Sequence, residues 1–129
     1  MFSIRVLPLE ESDIDGVRLG EIIIGDFMEQ FACYPVLGPI DWLDNFWRAE
    51  LKKLLDGAAS VALVHDPRFA WIIYREGERC FIQQVLSLDG DFGKHLAARV
   101  TLTEEGNTVS EWQTEISTIA QFVGKQNAA

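Results

Sequence analysis

Two histidines and two cysteines are the first candidates for chemistry in this 129-residue chain. His65 ends the run "ASVALVH" directly before Asp66, and His95 stands in "DGDFGKHLAA". Two imidazoles with a nearby carboxylate could hold a metal or work as acid and base. Neighbours on a strand point to opposite faces, which weakens a His65–Asp66 dyad. The plainer reading is a pair of edge or surface histidines. Cys80 lies in a strand-like run and reads as a small buried hydrophobe. No Cys–His spacing resembles a zinc site, and neither Cys33 nor Cys80 has a histidine nearby in sequence. Both are expected as free thiols in a reducing compartment.

The carboxylates offer a second set. Glu50 falls in an apolar arc with Phe46, Trp47 and Leu54, and Glu115 lies near Trp112 and Ile119. A carboxylate buried there needs a cationic or hydrogen-bonding partner, for which Arg75 and Arg79 are the candidates. A structural ion pair is the expected outcome; exposure at the stripe's edge and a catalytic carboxylate pair are the alternatives. "DGDFGKH" has glycines but no strand-to-helix setting, and Asp89 and Asp91 would repel a phosphate. Their spacing resembles a calcium loop only in part, since no acid closes it at the right offset. There is no Ser-centred nucleophile elbow. Catalytic residues, metal ligands and cofactors are therefore all expected to be absent.

The elements that would position these residues follow from turns and periodicity. "FSIRVL" alternates as a short strand that Pro8 ends, and "VRLGEIII" reads as a second, with Gly20 and Gly25 marking a bulge and a turn. "DFMEQFACYPVLGP" is ambiguous between helix and strand and is read as irregular. Residues 41–55 contain no Gly or Pro. Leu43, Phe46, Trp47, Leu51 and Leu54 recur at helical spacing, with Lys52 and Lys53 in the last turn and Gly57 beyond it. "ASVALVH", "FAWIIYR" and "RCFIQQVLS" are separated by "DPR" and "EGE", connections short enough to force antiparallel neighbours. The middle strand is apolar on both faces and should lie inside the sheet, with its far face covered or in use. "LDGDFGKHLAA" reads as a loop and "RVTLTEE" as a strand. Ser110 and Gln113 form a capping box that starts a last helix carrying Trp112, Ile116, Ile119, Ala120 and Val123 on one face. The expected fold is α+β: a single domain over residues 1–124, an antiparallel sheet of about five to six strands with two helices on one face, and a frayed tail at 125–129.

Charge narrows the partners. Twenty Asp and Glu face eleven Lys and Arg, a formal net charge of −9. Residues 10–44 hold nine of those acids (Glu10, Glu11, Asp13, Asp15, Glu21, Asp26, Glu29, Asp41 and Asp44) against Arg18 alone. Such a field repels nucleic-acid backbones and attracts basic surfaces. Aromatics here sit at core spacing rather than between bases, which also opposes a nucleic-acid partner. No apolar run reaches the roughly 18 residues of a membrane span, so no membrane partner is expected. The start, "MFSIRVLPLEESD", turns acidic at once and lacks the plan of a secretory signal; a cytoplasmic protein is the expectation.

The stretches "WLDNFWRAELKKLLDGAASVALVHDPRFAWIIYREGERCFIQQVLS" and "EEGNTVSEWQTEISTIAQFV" resemble small bacterial immunity proteins of contact-dependent growth inhibition systems. The likeness spans about residues 42–123, and rests on the Trp-rich helix, the "DPR" and "YREG" turns and the "SEW" start. It implies a non-enzymatic, stoichiometric inhibitor that covers or distorts the active site of a cognate toxin domain. That toxin would belong to a large secreted or surface protein encoded just upstream. Many toxins of this class are nucleases, cationic because they hold a polyanion, and an acidic inhibitor would mimic that charge. Such a face also needs apolar anchors. Phe27, Phe31 and Tyr34 beside Glu21, Asp26 and Glu29 form the first candidate. The sheet face at Tyr74, Gln83 and Gln84, or the loop at Asp89 and Asp91, forms the second.

Two other classes stay open on the residues alone. A small hydrolase or metal-dependent enzyme would bring His65, His95 and buried carboxylates into one cleft with shifted pKa values. A peptide-binding adaptor would present an uncovered, uncharged strand edge.

Overall fold

The computed structural model describes residues 1–8, 18–33 and 40–127, with the side chains of 40, 41 and 125–127 left aside. Glu10, Glu11, Asp13, Asp15 and Tyr34 lie outside these residues, as does the expected tail beyond 127. The elements are β1 (Phe2–Val6), β2 (Arg18–Ile24), β3 (Phe27–Cys33), α1 (Ile40–Leu55), β4 (Ser60–Asp66), β5 (Phe69–Glu76), β6 (Arg79–Leu86), α2 (Gly93–Ala97), β7 (Trp112–Glu115) and α3 (Ile116–Asn127). The class is α+β with antiparallel pairing throughout, as the turns imply. The strands divide into two sheets, β1-β2-β3 and β4-β5-β6-β7.

"DFMEQFAC" is a strand, not an irregular segment. Its odd positions turn inward, with Phe31 and Cys33 buried, and β2 pairs with it from Arg18↔Cys33 to Ile24↔Phe27. Gly25, at φ +61, makes the turn between them as expected. Gly20 forms no bulge; it stays in register in the middle of β2. A Cβ there would lie 2.5 Å from the Phe31 ring and 2.9 Å from Cys33 Sγ, so the glycine lets an aromatic ring lie flat on the strand. The register slip occurs instead between Val64 and Asp66, which makes His65 the bulged residue of β4.

One large core joins both sheets to both long helices. Phe2, Ile4, Ile22 and Phe31 come from the first sheet; Leu63, Trp71, Ile73 and Ile82 come from the second. Trp47, Leu51 and Leu54 of α1 and Ile119 and Val123 of α3 close it. The α1 stripe therefore points where its 3.6-residue period sends it. Trp47 also donates its indole N–H to Val64 O at 2.8 Å, and Arg75 donates to the α1 carbonyls of Leu54 and Leu55 at 2.8 and 3.1 Å. That guanidinium satisfies helix-end acceptors and suits the negative end of the helix dipole.

The far face of the four-stranded sheet carries a second cluster. Ala70, Ile72 and Tyr74 of β5 pack with Phe92, and Leu96, Phe81 and Val85 flank them. Residues 88–111 supply this cover. Within them, the expected loop contains the five-residue helix α2, and the expected strand "RVTLTEE" enters neither sheet. It forms an outlying ribbon held by the Leu102↔Thr108 bridge. The capping-box reading of Ser110 and Gln113 also gives way. Trp112–Glu115 zip onto β6, with Arg79 opposite Glu115, and the helix starts only at Ile116. Ladder bonds to a free strand edge outweigh a local capping preference here. In α3 the buried set includes Phe122, whereas Ala120 is exposed.

Candidate functional site

The bulge puts His65 into the seam between the sheets. It is 3% exposed, its Nδ1 donates to Ala32 O on β3 at 2.9 Å, and Gln84 Nε2 lies 3.4 Å from its Nε2. Phe31 tilts against the ring at 4.4 Å and Phe69 lies parallel at 6.2 Å. Burial pushes its pKa below the ordinary 6.5, although the Ala32 bond and Asp66 pull the other way. A neutral imidazole with both nitrogens occupied ties β4 to β3 and has no lone pair free for substrate. The expectation of an edge or surface histidine is thus replaced by a buried pin.

The bulge also alters the His65–Asp66 geometry. Both residues line one open cleft of about 360 Å³ with Glu29, Gln30, Phe69 and Gln84. Asp66 Oδ1 accepts from Arg68 N at 2.8 Å in its own turn. His95 does not line this cleft; it sits in α2 beside Leu86, Ser87, Asp89 and Lys94. Among the described residues no group of three or more His, Cys, Asp or Glu is arranged to hold a metal ion. Cys33 and Cys80 are free and buried, and burial raises their thiols to about 12 and about 11, where neither is a nucleophile at neutral pH.

The carboxylates of the two helical arcs do not pair with the sheet arginines. Glu50 accepts from Lys53 Nζ at 2.9 Å, one helical turn on, because Arg75 is held by the α1 carbonyls. Glu115 is exposed opposite Arg79 in the β6–β7 register. Another ion pair among the described residues was not read from the sequence at all. Arg99 grips Glu111 through Nε at 2.7 Å and through Nη2, reaches Glu76 at 3.0 Å, and lies 3.7 Å over the Phe81 ring. Gln83 adds a bond to Glu111 Oε2 at 2.7 Å and another to Val100 O at 3.0 Å. Arg99 holds the Glu111 carboxyl below its ordinary range, and this fork fastens both ends of the 99–111 excursion to β6. A lone arginine and a glutamate twelve residues apart give no local signal of such a pair.

The first partner-binding candidate breaks up as a surface. Phe31 is core, touching Trp47 and Trp71, and Phe27 stacks on Trp112 at 4.1 Å. Glu21 faces Arg5 across β1–β2 at 3.5 Å, and Asp44 accepts from Val6 N. Asp26 is exposed in the β2–β3 turn, while Glu29 lines the His65 cleft. In the second candidate, Tyr74 and Gln83 are buried beneath residues 88–111, and the Tyr74 hydroxyl donates to His95 O at 2.7 Å. Gln84 stays exposed. Asp89 and Asp91 are exposed as well, and both shape the turn into α2: Asp89 Oδ1 accepts from Asp91 N at 2.9 Å, and Asp91 Oδ1 from Gly93 N at 2.8 Å. The bond from Asp91 N, with one from the Ser87 hydroxyl, holds the Asp89 pKa below its ordinary value.

What the sequence did not single out is apolar and exposed. Leu86, Leu88, Val100 and Leu102 are 48%, 77%, 53% and 56% exposed. They rim a groove of about 460 Å³ and an adjoining cleft of about 290 Å³ that share Leu86 and His95.

The family described as the CdiI N-terminal domain matches residues 41–122. The chain is 25% identical over 127 residues to "Immunity protein CdiI" of Enterobacter cloacae, covering 86% of this chain and 88% of that protein. It also superposes on a chain from a CdiA-CT/CdiI toxin and immunity complex from Enterobacter cloacae, with a TM-score of 0.74, 22% identity and full coverage of both chains. At that identity the likeness is one of fold.

Proposed function

The chain belongs to the CdiI N-terminal domain family, and from that premise we propose that it is an immunity protein that binds and neutralises a cognate toxin domain without chemistry of its own. The observation that carries this reading is the family match across the helix and the strand meander, over residues 41–122. The relative named as an immunity protein, and the fold shared with a chain of a toxin and immunity complex, support it. So does the site chemistry. The buried histidine is neutral and engaged, and the thiols are raised out of reach.

The finer reading is a cationic, nuclease-type toxin. A net charge of −9 favours fast association with a basic surface and disfavours competition by nucleic acid. Inhibition is stoichiometric: one immunity chain occludes one toxin domain. Action in the cytoplasm fits two free thiols and the absence, among the described residues, of a helix long and apolar enough to cross a membrane. Titrating the purified cognate toxin domain with this chain tests the reading. Toxin activity should fall linearly to zero at a one-to-one ratio, with RNA and DNA cleavage as the assays. Residual activity that persists at tenfold excess of the chain would refute it.

A further inference from the structure

We infer that the groove between the unpaired end of β6 and the 99–109 hairpin is the docking surface for a basic protein, and that the toxin domain seats an apolar side chain there between flanking lysines or arginines. This rests on the immunity reading and assigns it a face.

The groove exists because β7 is short. It pairs with β6 only from Arg79 to Ile82, so Gln83–Leu86 have no strand on that side. The incoming chain leaves at Glu111, fixed there by Arg99 and Gln83, and folds outward as a hairpin. The hairpin is held by Val109 N to Thr101 O at 2.9 Å and Thr103 N to Asn107 O at 2.8 Å. Residues 100–108 are exposed throughout. Four of the eight exposed large hydrophobics in the described chain lie in this quarter: Leu86, Leu88, Val100 and Leu102. Scattered apolar residues need no explanation, but four sharing two adjoining concavities mark an interaction site.

Charge selects the occupant. Residues 88–111 carry five acids, Asp89, Asp91, Glu104, Glu105 and Glu111, against Lys94 and Arg99. Arg99 is neutralised by Glu111 and Glu76. Glu104 lines the groove, with Glu105 next to it in the chain, while Asp89 and Lys94 both line the adjoining cleft, so the apolar floor has a rim that is acidic on the hairpin side. A nucleic acid or an anionic membrane is repelled by that rim, and so is a second copy of this chain. A basic protein surface meets both the floor and the rim, the arrangement of a desolvated anchor inside a charged border.

The test uses the full chain and the purified toxin domain encoded beside it, followed by calorimetry or interferometry at low and physiological salt. Leu88→Glu with Leu102→Glu should weaken binding by at least roughly 100-fold. Glu104→Lys with Glu105→Lys should slow association about tenfold at low salt and flatten its salt dependence. Asp26→Lys with Glu29→Lys, on the other candidate face, should stay within about threefold of the parent. Each variant's denaturation midpoint is measured alongside; if the leucine pair shifts it, the charge pair decides. Parent-like binding by both groove variants overturns the inference and leaves the immunity reading standing. Failure of the parent chain itself to bind the toxin domain overturns both. A dimer of the parent that the leucine variant dissolves would show the groove to be a self-interface and overturn the inference.

Discussion

The two faces of β5 and β6 meet very different surroundings. On one, Trp71, Ile73 and Ile82 enter a core built by both sheets and both long helices, and none of the three exposes any surface. On the other, Ala70, Ile72 and Tyr74 lie under a thin cover, residues 88–111, whose outer half is exposed almost residue by residue. The first face gains stability from packed apolar area. The second is fastened by the charged fork Arg99–Glu111 and a few hydrogen bonds, such as Tyr74 to His95 O and Gln83 to Val100 O, and leaves its own leucines in water. A protein whose task is to hold a partner rigidly needs both: a body that does not yield, and a surface whose apolar groups wait for the partner to cover them.

The contrast can be broken at its strong end first. Trp47→Ala removes a buried indole and the bond to Val64 O, and should cost about 3–5 kcal/mol in chemical denaturation; a loss under about 1 kcal/mol would show that the core is not the source of stability. Gly20→Ala drives a methyl into the Phe31 ring, with an expected loss of about 1–3 kcal/mol. A neutral result would mean that β2 and β3 move apart freely.

The next effect sharpens the boundary between the faces. Arg99→Ala should raise amide exchange across residues 99–111 while exchange in β4–β6 stays slow; uniform loosening would tie the cover to the core. pH separates the two as well. The His65 pKa lies below 6.5 in the fold, so the unfolded chain binds the extra proton and stability declines as pH falls from about 6.5 toward that lowered value. The Glu111 pKa lies below 4.5, so its contribution is complete above 4.5 and is lost at still lower pH. His65→Asn should flatten the upper window and Glu111→Gln the lower one, read from denaturation midpoints between pH 3 and 8. The smallest expected effect is that of Leu88→Glu with Leu102→Glu on stability, within about 0.5 kcal/mol of the parent. A larger loss would place those leucines in the fold rather than on a waiting surface.

The sequence carried the strong face well and the weak one poorly. The α1 stripe and the β4–β5–β6 meander were readable because period and turn chemistry agree there: Leu43 to Leu54 keep 3.6-residue spacing, and "DPR" and "EGE" leave room only for hairpins. β3 was missed because Phe27, Met28 and Phe31 suit either period, and only the partner strand β2 decides between them. The start of α3 was misplaced because the free edge of β6 draws Trp112–Glu115 into the sheet despite the Ser110 and Gln113 capping signal. The partner candidates weighed acids and aromatics of the first third, yet Phe31 is core, Glu21 faces an arginine and Asp44 bonds backbone. Leu86, Val100 and Leu102 read as ordinary strand residues and Leu88 as part of a loop, so nothing in the sequence brings the four together; their meeting depends on where β7 stops.

Hydrogen exchange of the chain alone and in its one-to-one complex with the cognate toxin domain tests the central claim most directly. New protection should concentrate in residues 86–88 and 100–105, with the β4–β6 core already slow in both states and Phe27–Cys33 unchanged. Protection that falls instead on Phe27–Cys33, or a complex that leaves the hairpin exchanging as in the free chain, would contradict it.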